Sequence, residues 1–258
     1  MILVTDNVRV RSELTVLGNP KCKTMKRIKS LWWPLFLGLA TVFVFTQCEK
    51  DEVVPQAIFV VGQNGYSQFN QNALRTQLNT LPKEDLTADE EAGLVFMREE
   101  EKLAHDVYYK LYESWKIQVF SNIAASELTH TEAVLLLLEK YDLTDPVGNN
   151  GIGTFVDQTL QTLYNDLLVQ GQLSEIDALK VGAIIEEVDI LDLEDQLNNV
   201  VDNQDITLVY TNLQKGSRNH LRAFVHNLAN RGVTYEPIYL SQDEYEDIIL
   251  SDMENGRN

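Results

Sequence analysis

The chain has 258 residues, with 21 basic and 39 acidic side chains and a formal net charge of −18. A protein this acidic lacks the basic face that a polyanion requires, which excludes nucleic acid as an expected partner. Hydrophobic residues at 44% and aromatics at 9% exclude a disordered chain, and the roughly 210 residues after position 48 suffice for one well-buried core.

The N-terminal part reads as an address. Met25 opens Met-Lys-Arg-Ile-Lys-Ser, an uncharged run of sixteen residues follows from Leu31 to Thr46, and Gln47-Cys48 comes next. A basic stretch before an apolar run shorter than the ~20 residues of a membrane-spanning helix is the pattern of an export signal. Either Met1 or Met25 serves as the start. Cys48 stands where a bacterial lipoprotein signal has its cysteine, and Glu49-Lys50-Asp51-Glu52 resembles the acidic tether of some surface lipoproteins, although Phe45-Thr46-Gln47 departs from the usual residues before the cysteine. The resemblance implies an exported protein, lipid-anchored at Cys48 to the outer or plasma membrane on the surface or periplasmic face. Cys22 and Cys48 are the two cysteines, so the remainder offers no disulfide, thiolate metal site or cysteine nucleophile.

Residues 1–48 are thus the extension and signal, and 49–86 read as a linker or loosely attached arm with a short apolar run at 58–61 and an amphipathic piece at 73–81. Regular structure is expected over 87–251. Thr87-Ala88-Asp89-Glu90 has the spacing of a capping box and opens a helix from 88 to 115. A second helix covers 121–141. A long connection follows over 142–173, with turn signals at Asp145-Pro146 and Gly148–Gly151 and a short helix at 155–169. Ser174 to Asp177 opens a third long helix over 175–200, a fourth runs from 206 to 230 with Gly232 as its stop, and Ser241 to Glu244 starts a short helix ending near Leu250. The expected fold is all-α: a four-helix bundle of ferritin-like topology, with one long crossover connection and short extra helices.

Carboxylates and histidines recur in these helices at helical spacing. Glu127 and His130 form an E-x-x-H pair, whose members project from one face, among Ile123, Ala124, Val134, Leu137 and Leu138. Carboxylate plus imidazole suits a divalent metal such as iron, and the same motif builds two-metal sites in bundle cores. In the first helix, Glu99-Glu100-Glu101 would ordinarily be a solvated face. Glu101 is the better candidate, because Tyr108 lies seven positions on and about 20° round, with Ala104 between; Glu100 is its rival and His105 a more distant neighbour. In the third helix the acids sit inside an apolar run, where an unpaired carboxylate is costly. Glu186 with Asp189 is the favoured pair and Glu187 the alternative. In the fourth, His220 sits where a second E-x-x-H histidine belongs, but Ser217 stands in the place of its glutamate; His226 points away from it.

These residues resemble the ferritin-like superfamily, in particular a bacterial and archaeal ferritin-like domain family of unknown function related at a distance to rubrerythrin and erythrin. The likeness covers about 86–250. It is carried by Glu99 to Ala104 with Tyr108, Phe120 to Ala124 with Glu127 and His130, Val181 to Ala183 with Ile185 to Glu187, Asp189 and Ile190, and Gly216, Ser217 and Asn219 to Phe224.

The resemblance implies a metal site of Glu101, Glu127, His130, Glu186, Asp189 and His220, holding two iron ions, or manganese or another divalent metal. Tyr108 would be a hydrogen-bond donor or electron relay. Ser217 leaves open an asymmetric two-metal site, a single metal or an emptied one. The function implied is iron handling or oxidoreduction, as in Fe(II) oxidation or the reduction of oxygen or peroxide. The alternative is a non-catalytic helical surface lipoprotein, a binding or structural module with a degenerate site; hydrolysis at Ser217 lacks an orienting acid. Metal ions and the membrane are the expected partners, with a homodimer left open.

Overall fold

The computed structural model describes residues 56–256. The expected export signal and Cys48 lie outside them. The described chain is mostly helical, in the order β1 (Phe59–Val61), β2 (Ser67–Phe69), α1 (Gln71–Leu78), α2 (Ala88–Trp115), α3 (Gln118–Lys140), α4 (Gln158–Gly171), α5 (Glu175–Asp195), a π-helical turn (Gln196–Val200), α6 (Gln204–Ala229) and α7 (Gln242–Leu250). The all-α expectation holds for this part, apart from one small hairpin.

Local chemistry sets the helix boundaries. Thr87 and Glu90 exchange the two hydrogen bonds of a capping box at the head of α2, as do Ser241 and Glu244 at α7, while Asp157 and Ser174 cap α4 and α5 with their side chains. Helix α2 ends at Lys116, which takes a left-handed φ of 55° and turns the chain into α3 two residues later. The third long helix is shorter than its hydrophobic pattern suggests, since its last five residues wind into the π-helical turn.

Helix α2 packs mainly on α3 and α5 mainly on α6; α3 then meets α6 and α2 meets α5, closing four long helices into one bundle. Helix α4 lies across α2 and α5. The apolar core falls into two clusters. One includes Leu103, Val107, Leu111, Phe120, Ile123, Leu221 and Phe224, and the other Leu94, Met97, Val134, Leu137, Tyr210 and Leu213. Between them, Arg98 to Lys102 of α2, Ser126, Glu127, His130 and Thr131 of α3, and Ser217, Asn219 and His220 of α6 are buried although polar. That polar seam is the site.

From residue 56 on, the segment expected as a loose arm is instead packed. Strands β1 and β2 pair antiparallel with Phe59 opposite Phe69, and the hairpin and α1 both lie on α3. Phe59, Phe69, Leu74 and Leu78 are almost wholly buried there, and fully burying each such side chain is worth about 1.5–3 kcal/mol. Three-residue strands are too short to show an alternating pattern, so the sequence does not announce them. Among the described residues no helix is long and apolar enough to cross a membrane.

Candidate metal centre

Helix α2 carries an unbroken buried polar stretch, Arg98 to Lys102. A solvated face is not what these residues form. Arg98 pairs with Asp145 at 3.0 Å, Glu99 accepts the backbone N–H groups of Val156 (2.6 Å) and Asp157 (2.8 Å), and Lys102 bonds Asp106 and the Gly151 carbonyl. The long connection after α3 is thereby clamped onto α2. Glu101 alone of the five turns to the centre, its Oε2 3.4 Å from His130 Nδ1.

Glu127 stands in the middle. Its Oε2 is 2.8 Å from His130 Nδ1 on its own helix, and its Oε1 is 2.7 Å from His220 Nδ1 on α6. Glu186 of α5 places Oε2 3.4 Å from the same His220 Nδ1, while its Oε1 accepts a 2.6 Å hydrogen bond from the Tyr108 hydroxyl. The five residues Glu101, Glu127, His130, Glu186 and His220 are each no more than 2% exposed. Two sets of three therefore form, Glu101, Glu127 and His130, and Glu127, Glu186 and His220, each with ligand atoms within 4.8 Å of one another.

The far side of both imidazoles is held by one residue from the hairpin. Ser67 Oγ lies 3.1 Å from His130 Nε2 and 2.9 Å from His220 Nε2, and the Ser67 N–H is fixed by Ser126 Oγ at 2.8 Å. With hydrogen on both Nε2 atoms, the Ser67 oxygen accepts twice and both Nδ1 lone pairs face the carboxylates. Metal-binding histidines are oriented in this way, by a partner on the other nitrogen. Gly216 makes the room: a Cβ there would stand 2.6 Å from His130 Cε1.

The donor atoms fit a cation. Glu127 Oε1, Glu186 Oε2, His130 Nδ1 and His220 Nδ1 are buried without any aligned hydrogen bond, even though the nitrogens and oxygens approach to 2.7–3.4 Å. Acceptors crowded face to face need positive charge between them. Protons provide it in the absence of metal. Burial works against charge on His130, but Glu127 and Glu101 outweigh it and raise the imidazole to about 9; Glu127 and Glu186 raise His220 in the same way to about 10. Burial raises Glu101 and Glu186 to about 7 against the pull of their histidines. Burial acts on Glu127 too, but the two flanking imidazoles prevail and hold it well below the carboxylate range. Such buried Glu and His groups could hold a metal ion.

The remaining sequence candidates occupy other places. Asp189 is buried beside the centre but belongs to neither set of three; burial, then Glu100, push its carboxyl up. Glu187 faces the opposite way, accepting the Tyr235 hydroxyl and the N–H groups of Ile238, Tyr239 and Leu240. His105 bonds Asp106, and His226 is exposed. Ser217 turns back on its own helix, 3.2 Å from the Leu213 carbonyl. Its presence does not leave the donor set lopsided, since each set has one histidine, one glutamate of its own and the shared Glu127. Sequence reasoning missed Ser67 and Ser126 altogether, and no pattern marks them. Gly216 is the one with a signal, a glycine in the interior of a long helix.

Residues 90–252 match the family model described as "Uncharacterized protein domain (DUF2202)". The chain is 55% identical over 181 residues to the uncharacterized protein MJ0754 of Methanocaldococcus jannaschii, an alignment covering 70% of this chain and 97% of that protein. It is also similar to the crystal structure of the hypothetical protein MJ0754, with a TM-score of 0.66 and 56% identity over 67% of this chain and 99% of that one. On both the span of the family match and the closeness of this relative, the chain belongs to the DUF2202 family.

Proposed function

We propose that the protein is an iron-handling oxidoreductase on a ferritin-like four-helix bundle, with two iron ions held at the centre. The observation that carries the reading is the facing of two imidazole Nδ1 atoms onto the two oxygens of Glu127 with no hydrogen bond aligned between them. Glu101 and His130 would hold one ion, Glu186 and His220 the other, and Glu127 both. Bound iron supplies reversible one-electron chemistry between ferrous and ferric states, suited to Fe(II) oxidation or to reduction of oxygen or peroxide.

The chain's own residues do the rest. Ser67 fixes the plane and tautomer of both imidazoles. Tyr108 holds Glu186 Oε1 and leaves Oε2 free for the centre. The aromatic rings of Phe59, Phe69, Phe120 and Phe224 pack around His130 and Tyr108 and keep bulk water out. The proposal includes export: the N-terminal signal and a lipid on Cys48 would tether this domain to the cell envelope.

Anaerobic reconstitution of metal-free protein with Fe(II), followed by desalting and elemental analysis, tests the reading. About two iron ions per chain are expected. A chain that retains neither iron nor manganese would leave a helical scaffold without the chemistry.

A further inference from the structure

The carboxylates do not stop at the centre. Glu100, adjacent to Glu101 on α2, is buried at 5% exposure, and its Oε2 receives no hydrogen bond. Buried acids such as these, away from the centre, are satisfied: Glu99 by two backbone N–H groups, Glu187 by three and a tyrosine, Asp106 by Lys102. Glu100 instead meets the carboxyl of Asp192, which is partly exposed on α5. One turn back along α5 is the buried Asp189, whose carboxyl is within reach of the charges of Glu100, Glu186 and Glu101. The buried Tyr210 hydroxyl of α6, also unpartnered, lies close enough to feel Glu100 and Glu101. The charges that act most on Glu100 and Asp189 are all carboxylates.

A series of acids with no basic partner, one oxygen of which lacks any donor, is poorly suited to holding helices together. It is well suited to a hard divalent cation, which exchanges water for carboxylate oxygens one step at a time. A centre whose five side chains are sealed from solvent also needs a way in. We propose that Asp192, Glu100 and Asp189 form the entry route by which a divalent cation passes from solvent to Glu101 and Glu186. This inference rests on the metal reading above.

The probe is Co²⁺, mixed rapidly with metal-free protein and followed by its visible absorbance. In Asp192→Asn and Glu100→Gln, loading is expected to slow by about tenfold or more while the final cobalt content and spectrum match the parent. Glu194→Gln, an exposed acid on the same helix, is expected to load at the parent rate. Parent-rate loading in both route variants overturns the proposal, as does equal slowing in Glu194→Gln, which would make the effect one of general surface charge. Reduced final cobalt in Glu100→Gln also overturns it, by making Glu100 a ligand. Failure of the parent to take up cobalt would instead sink the metal centre itself, and the route with it.

Discussion

His130 and His220 lie face to face, ring centroids 5.3 Å apart and planes 15° from parallel, with Glu127 between their Nδ1 atoms. Two charged imidazoles at that distance repel, and only the carboxylates around them keep both protonated in the metal-free protein. Metal must displace those protons. With His130 at about 9 and His220 at about 10, binding near pH 8 is expected to release roughly two protons per chain. Calorimetry in buffers of different ionisation enthalpy measures this directly; binding without proton release would contradict the arrangement.

The same raised values fix how stability depends on pH. A histidine at 6.5 unfolded and at 9 or 10 folded stabilises the fold in full below about 6.5 and loses that contribution as pH rises through 9 and 10. The metal-free protein should therefore show a falling Tm across this alkaline window, whereas the loaded protein, whose imidazoles are already neutral, should not. Equal slopes for the two forms would show that the imidazoles are not the groups responsible.

Glu127→Ala removes the group common to both sets of three. Metal content is expected to fall to background. The metal-free variant should also lose stability, by about 1–3 kcal/mol, less than a broken buried ion pair often costs because each imidazole can shed its proton. For a domain of this size that is a Tm drop of roughly 2–12 °C. Undiminished iron in the variant would remove Glu127 from the centre.

How much of this was legible in the sequence differs residue by residue. The helix heads were, because Thr87, Ser174 and Ser241 cap by local spacing alone. Glu127 with His130, and the preference for Glu101 over Glu100, follow from angular arithmetic within one helix. The fate of Glu99 and Arg98 was not, because their partners at 145 and 156–157 are some fifty positions away and the run by itself reads as solvated. Asp189 shares a helix face with Glu186 yet joins neither set of three, a placement that spacing along one helix does not determine. Ser67, 153 positions from His220, carries no periodic signal at all.

Tyr108→Phe tests a positioning residue. It leaves Glu186 Oε1 without its 2.6 Å donor, and that donor is one of the influences that lower the Glu186 carboxyl against burial. Its loss should raise Glu186 further, so metal affinity should fall more on the acid side of neutrality than above pH 8. Isotherms on either side of neutrality check this, and a uniform loss would indicate simple destabilisation.

Ser67→Ala takes the shared acceptor from both imidazoles. Loss of such a supporting contact typically costs about 10- to 100-fold in metal affinity, and the effect should reach both ions at once because one oxygen serves both rings. Ser126→Ala, which removes only the anchor of the Ser67 backbone, should cost stability with a smaller change in affinity. Equal affinities in Ser67→Ala and the parent would leave the hairpin without a part in the centre.

Gly216→Ala reverses an ordinary expectation. In an exposed helix interior, alanine is favoured over glycine by about 1 kcal/mol. At position 216 the new methyl would sit 2.6 Å from His130 Cε1, 3.0 Å from its Nε2 and 3.3 Å from Ser67 Oγ. The obstacle is a buried ring held at Nε2 by Ser67 and facing Glu127 with Nδ1, so it cannot swing aside as a flexible chain end would. Either the imidazole leaves Ser67 and Glu127, or α6 moves away from α3. Both outcomes lower the Tm, and overpacking of this kind costs about 1–3 kcal/mol. Both also displace Nδ1 from the carboxylates, so metal retention should fall together with stability. A Gly216→Ala protein more stable than the parent, with its iron intact, would mean that His130 is not seated where Ser67 and Glu127 now hold it.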